Sequence, residues 1–221
     1  TKTITVKAAL SKFNPFVAAG NAAIAGGSVL TGLRGSASIA AAGNAGRSDN
    51  TRGGTQFLIP VPRINVALSA NGGVVSASST HLSGLYPALA VINGDRKGNN
   101  WGTVNGGWND GTRAAYPDSL EITFNSAKTI DEINVVTLQD NWQSNPGDPT
   151  LTTSASGEGI LDFAVEYWNG DAWVAISNVT GNDKAWRQFT FAPVSTTKIR
   201  LVVTASRNNW SRVVELEAFG Q

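Results

Sequence analysis

What most constrains this chain is a series of short segments in which polar and apolar residues alternate. SLEITF (119–124), DEINVVTL (131–138), LDFAVEYW (161–168), DAWVAIS (171–177), RQFTFA (187–192), TKIRLVVTA (197–205) and VVELEAFG (213–220) each send every second side chain to one face. That is the period of a strand buried on one side. Only LYPALAVI (85–92) reads as a turn of helix. In WNGDAW, Asn169-Gly170 marks a two-residue hairpin tip, because both positions tolerate positive φ. Short strands at regular spacing, with no helices between them, predict an all-β sandwich over residues 64–221.

Composition narrows the function classes. The length of 221 residues suits one large β domain or two small ones. Charged residues make up only 15% and there are 24 glycines, the balance of a turn-rich β protein. Cysteine is absent, which excludes disulfides, thiolate metal sites and Cys nucleophiles and leaves the redox compartment open. No apolar run approaches the ~20 residues that span a bilayer, so no membrane span is expected. TKTITVKAALSKF lacks an apolar signal core. Either a signal has been removed or the chain is made in a cytoplasm. The net charge of +1 gives the whole chain no affinity for nucleic acid or an anionic membrane.

The near-neutral total hides an asymmetry. Residues 1–63 carry seven basic residues and one acidic residue, a balance of +6. Residues 64–221 carry ten basic and fifteen acidic residues, a balance of −5, together with all seven tryptophans. The first part is rich in Gly and Ala and holds few large apolar side chains. It cannot bury enough area to offset its own ordering entropy. It reads as an extended arm or a small β subdomain, either docking on a neighbouring subunit or host assembly or serving as a linker.

VVSASSTHLSGLYPALAVINGDRKGNNWGT (74–103), DSLEITFNSAKTIDEINVVT (118–137), FAVEYWNGDAWVAI (163–176) and KIRLVVTASRNNWSRVVELEAFG (198–220) together resemble the discoidin, or coagulation-factor type C, domain. Bacterial members of that family are grouped as family 32 carbohydrate-binding modules. The resemblance implies a galactose-binding-like jelly-roll β-sandwich over residues 64–221, with ligand loops at one end and no catalysis of its own. Residues 1–63 match nothing in that family.

Sugars present apolar C–H faces and a ring of hydroxyls. A site for them needs an aromatic platform with amides, carboxylates or Arg around it. Three loops supply that mixture: Trp108, Asn109, Asp110 and Arg113 in the first, Asn141, Trp142 and Asn145 in the second, and Arg207, Asn209 and Trp210 in the third. Trp210 stands just before the last strand, where the family often places its stacking platform. Trp101, Trp168, Trp173 and Trp186 lie in or beside strand patterns and are expected in the core. The resemblance also implies a structural calcium under the early loop NGDRKGNN. Asp95 and Glu215 match its usual ligands, while Asn93 and Asn99 stand where Asp and Thr are usual. Alternatively Arg96 or Lys97 fills that place.

Enzyme readings find little support. His81 is the only histidine, and a triad or zinc site needs partners that are missing. The expected protein is a non-catalytic glycan-binding module in an extracellular or virion-surface setting. It would act as a homo-oligomer or part of a larger assembly, contacting other subunits through residues 1–63. The alternatives are a module of a secreted bacterial glycan-active enzyme and a purely structural assembly subunit.

Overall fold

Alternating patterns become strands where one face can be covered, and two of them run on further than the sequence suggests. The computed structural model describes residues 63–221, Ser83 excepted. The strands are β1 (Ile64–Asn65), β2 (Val74–Ala77), β3 (Trp108–Asn109), β4 (Asp118–Thr137), β5 (Ile160–Trp168), β6 (Trp173–Val179), β7 (Trp186–Ser206) and β8 (Arg212–Gly220). The expected pairs 119–124 with 131–138, and 187–192 with 197–205, are each a single long strand, β4 and β7. The apparent breaks are irregularities: the β4–β7 register shifts between Thr123 and Lys128, and again between Ile130 and Glu132.

Those shifts let the antiparallel network fold on itself. The first part of β4 pairs with β2 and with the second part of β7, which continues to β5 and β6. The second part of β4 pairs with the first part of β7 and with β8, which carries β1 and β3. Two sheets result, joined through the long strands. Leu120, Ile122, Ile133, Val135, Ile160, Phe163, Ile199, Leu201, Val213 and Leu216 fill the space between them. The helical stretch is a 3-10 turn, Ala88–Ile92, whose Val91 and Ile92 enter this core.

Departures from expectation have local causes. The hairpin after β5 is longer than two residues: Trp168 pairs with Trp173, and Asn169 Oδ1 accepts from the backbone N–H of Asp171 and Ala172, at 2.9 Å each. Trp168 and Trp173 are not core residues. They are half-buried, their rings meet at 5.4 Å, and Trp173 carries the Arg200 guanidinium at 4.3 Å. Trp101 and Trp186 are also half-buried and pack on a small separate cluster of Val136, Leu138 and Val214. The arm lies at residues 1–62 outside the described residues, apart from Arg63, which pairs with Asp131 and Glu132. Among the described residues no helix is long and apolar enough to cross a membrane.

Candidate functional site

Loops distant in sequence are tied together where β4 and β7 end and β5 and β8 begin. His81 N donates to Asn109 O at 2.9 Å, and Gly111 N to Ser79 Oγ at 2.9 Å. Ala114 N donates to Asn209 O at 3.0 Å, placing Arg113 beside the 206–211 loop. Arg207 N donates to Gly159 O, and Asn208 Nδ2 to Gly157 O, both at 3.0 Å. Asp140 in turn accepts from Ser154, Ser156, Gly157 and Glu158.

Asn208 and Asn209 are what turn the chain in RNNW. Both adopt left-handed backbone, at φ 55° and 60°, which Asn tolerates better than most residues. The chain then re-enters extended geometry at Trp210. The indole of Trp210 meets the His81 ring at 4.9 Å, His81 meets Tyr86 at 5.8 Å, and Tyr86 meets Trp101 at 5.2 Å. All four are half-buried. His81 and Tyr86 are thus part of the constellation, although neither was expected there. No signal along the chain announces a contact between residues so far apart in sequence. Leu82 and Ala114, which follow His81 and Arg113, also have left-handed φ values of 44° and 62°. For side chains of this kind that costs on the order of 1 kcal/mol each, and such strain gathers at binding sites.

Three expected ligand residues are corrected. Trp108 is fully buried in the core, its Nε1–H donating to Ser79 O at 2.8 Å. Complete burial leaves its ring no face to offer a ligand. Asn109 is 5% exposed and donates to Asp110 O. Asp110, 0% exposed, accepts from Ser211 N at 2.6 Å and Thr112 N at 3.0 Å. Its carboxylate joins the Arg113 loop to the Trp210 loop rather than facing solvent. Beside it, burial pushes the Asp118 carboxyl above its ordinary range. The hydrogen bond from Ser211 Oγ opposes this and the nearby Asp110 charge adds to it.

The remaining expected residues divide. Arg113 and Asn209 are exposed, and Arg207 is half-buried with its Nε buried and unpartnered. Asn141 and Asn145 are exposed around a 3-10 turn. Trp142, in that turn, packs on the Val136, Leu138 and Val214 cluster, so its indole is partly committed to covering that cluster.

Under the early loop, Glu215 is fully buried. Burial raises its carboxyl to about 9, although Gly94 N donates to Oε1 at 2.9 Å. Its Oε2 and the Oδ1 of Asn99 are both buried without a hydrogen-bond partner. A carboxylate and an amide oxygen left open in this way are the donors a hard cation takes. Asn93 and Asp95 use one oxygen each on the loop backbone, accepting from Asp95 N and Lys97 N. Arg96 does not enter: it pairs with Glu217 and stacks on Trp186 at 4.3 Å. Lys97 is exposed. Among the described residues no three His, Cys, Asp or Glu side chains cluster, so backbone and amide oxygens would have to complete any such site.

Known proteins share this architecture. The family 32 carbohydrate-binding module of NanJ from C. perfringens, in complex with galactose, superposes with a TM-score of 0.52 at 16% identity, over 72% of this chain and 99% of that one. A fucose binding module from Streptococcus pneumoniae gives 0.53 at 17% identity, over 72% and 96%. Chitosan-binding module 2 of a Paenibacillus sp. IK-5 chitosanase/glucanase, in complex with chitotriose, gives 0.51 at 15% identity, over 71% and 100%. At these identities the likeness establishes the fold. No curated protein sequence matches the chain. The family model of the F5/8 type C domain matches residues 74–216, well over half of the chain, and the chain belongs to that family.

Proposed function

We propose that this protein is a non-catalytic carbohydrate-binding module whose ligand rests on Trp210 and His81 and is hydrogen-bonded by Arg113, Asn209 and Arg207. The observation that carries this reading is the Trp210–His81 contact at one end of the sandwich, where backbone hydrogen bonds tie together the loops that bear Arg113, Arg207 and Asn209. A half-buried indole beside an imidazole suits the apolar face of a pyranose. A guanidinium and a primary amide suit pairs of hydroxyls. Solved relatives with this fold are described in complex with galactose and with chitotriose, which supports a sugar as the ligand class.

A structural calcium at Glu215, Asn99, Asp95 and Asn93 belongs to the same proposal. It is supported by the two orphaned oxygens and would brace the early loop on β8. We assign it no part in binding chemistry. The module would work on a cell or particle surface, with residues 1–63 as its anchor. Their +6 balance beside an acidic body supports attachment to another protein surface. Display on a virion and attachment to a glycan-active enzyme both fit such an anchor.

The test is a glycan array with the protein displayed multivalently beside Trp210→Ala. A defined set of sugars should bind, and the folded variant should lose them. Equal binding by the variant would refute the assignment.

A further inference from the structure

Charges at the loop end are not balanced, and the imbalance bears on which sugars this site takes. All but one of the acids named here are engaged by the protein itself. Asp110 is buried on Ser211 N and Thr112 N, and Asp118 is buried on Ser211 Oγ. Asp140 is held by the 154–158 loop, and Glu158 forms an ion pair with Arg212. Asp148 is exposed, but its loop sits beside Lys97: Gln139 Nε2 donates at 3.1 Å both to Lys97 O and to the carbonyl of its neighbour Gly147.

The cations next to Trp210 have no such partners. Among the described residues neither Arg113 nor Arg207 forms a salt bridge, whereas Arg63, Arg96, Arg200 and Arg212 all do. Arg207 also keeps a buried Nε without an acceptor. Both arginines are fastened to the Trp210 loop through the backbone. Ala114 N reaches Asn209 O at 3.0 Å, and Trp210 N reaches Arg207 O at 3.3 Å. Two arginines without a salt bridge on the loops around Trp210, with Asp110, Asp118, Asp140 and Glu158 all engaged by the protein, leave a positive potential at this end. Guanidinium matches carboxylate and sulfate oxygens in pairs.

Resting on the carbohydrate-binding reading, we infer that the ligand is an acidic glycan. Its carboxylate or sulfate is taken by Arg113 and Arg207 while the sugar ring lies against Trp210. The shared chemistry is a planar or tetrahedral oxyanion on a pyranose. A uronic or sialic acid and a sulfated sugar are its two sources.

The experiment measures binding of the full-length protein to matched neutral and acidic pairs. These are galactose and galacturonic acid oligosaccharides, lactose and sialyllactose, and lactose with and without a sulfate ester. Each pair is run at low and at high ionic strength. At least one acidic member should bind about ten-fold tighter than its neutral partner at low salt, and the preference should shrink as screening rises. Whether the carboxylated or the sulfated pair shows the preference identifies the source. Arg113→Gln, at an exposed position, should keep the fold and bring the acidic-over-neutral affinity ratio, both members measured on the same variant, down to about one. A folded variant that keeps the ratio would overturn the role given to Arg113. Neutral and acidic members binding alike would overturn the acidic-ligand inference and leave the carbohydrate-binding reading standing. Binding by no pair would overturn the acidic-ligand inference, and no binding on the glycan array either would overturn the carbohydrate-binding reading with it.

Discussion

Asp140 accepts from Ser154 Oγ, Ser156 N and Oγ, Gly157 N and Glu158 N, and so pins one loop to another. Burial alone would raise its carboxyl, but these hydrogen bonds outweigh burial and hold it below the ordinary range. An acid depressed in the folded state adds stability above its unfolded value of about 3.9, and that contribution disappears as pH falls through the lower folded value. Denaturant melts from pH 7 to pH 2 should therefore show Asp140→Asn less stable than the parent at neutral pH, with the gap closing in acid. A gap independent of pH would contradict the charge-based account. Trp108 lies at the other extreme, fully buried with its N–H satisfied. Trp108→Ala should cost about 3–5 kcal/mol, read as a lower denaturant midpoint. The residues around Trp108 concealed this role. NGGWND reads as an exposed loop, yet its glycines mark tight packing. A Cβ on Gly106 would lie 2.2 Å from Asn100 O, and one on Gly107 would lie 2.6 Å from Val213 O. Glycine that admits a neighbouring backbone looks, in sequence, like glycine that makes a turn. The polar surroundings of Trp210 carried a clearer message, because two consecutive asparagines accept the left-handed turn that sets it apart from its strand.

Strands were the legible elements, because the two-residue period survives wherever one face is covered. Their lengths were less legible, since a bulge inside β4 or β7 resembles the gap between two strands. Alternation in VVELEAFG marks a strand with Glu215 and Glu217 on one face; the loop from Gly94 to Arg96 covers that face and answers the two acids individually. The cover follows from tertiary packing, and alternation carries no trace of it. Two predictions belong at this scale. Glu215→Gln keeps the shape of the side chain and removes the anion that a cation needs. Calcium should raise the melting temperature of the parent, by about 2.7 kcal/mol of stabilisation at a hundred times its Kd, and leave the variant unmoved. A chelator should make the two alike. A parent indifferent to calcium would remove the ion from the account. Asp110 ties two site loops through one carboxylate. Asp110→Ala leaves Ser211 N in a buried position without its acceptor, which costs about 1–3 kcal/mol. It should weaken sugar binding although it does not touch the sugar. Undiminished binding by a folded Asp110→Ala protein would show that the loops keep their places without it.

The molecule as a whole divides into two units, with the second beginning at Pro62. A chain starting at residue 62 should fold with the same melting temperature and the same single-site affinity as the full chain, while binding to a dense glycan surface falls if the arm is what gathers copies together. Calorimetry and surface binding of the two lengths, side by side, decide this. A truncated chain that fails to fold would mean that the sandwich depends on the first unit. The central claim concerns where on the sandwich the ligand sits. It is tested most directly by titrating a binding glycan into the labelled protein and following the indole and guanidinium N–H signals by NMR. We predict saturable shifts at Trp210 and Arg113, with Trp168 and Trp173 at the far hairpin unmoved. Shifts confined to that hairpin, with Trp210 silent, would contradict the account.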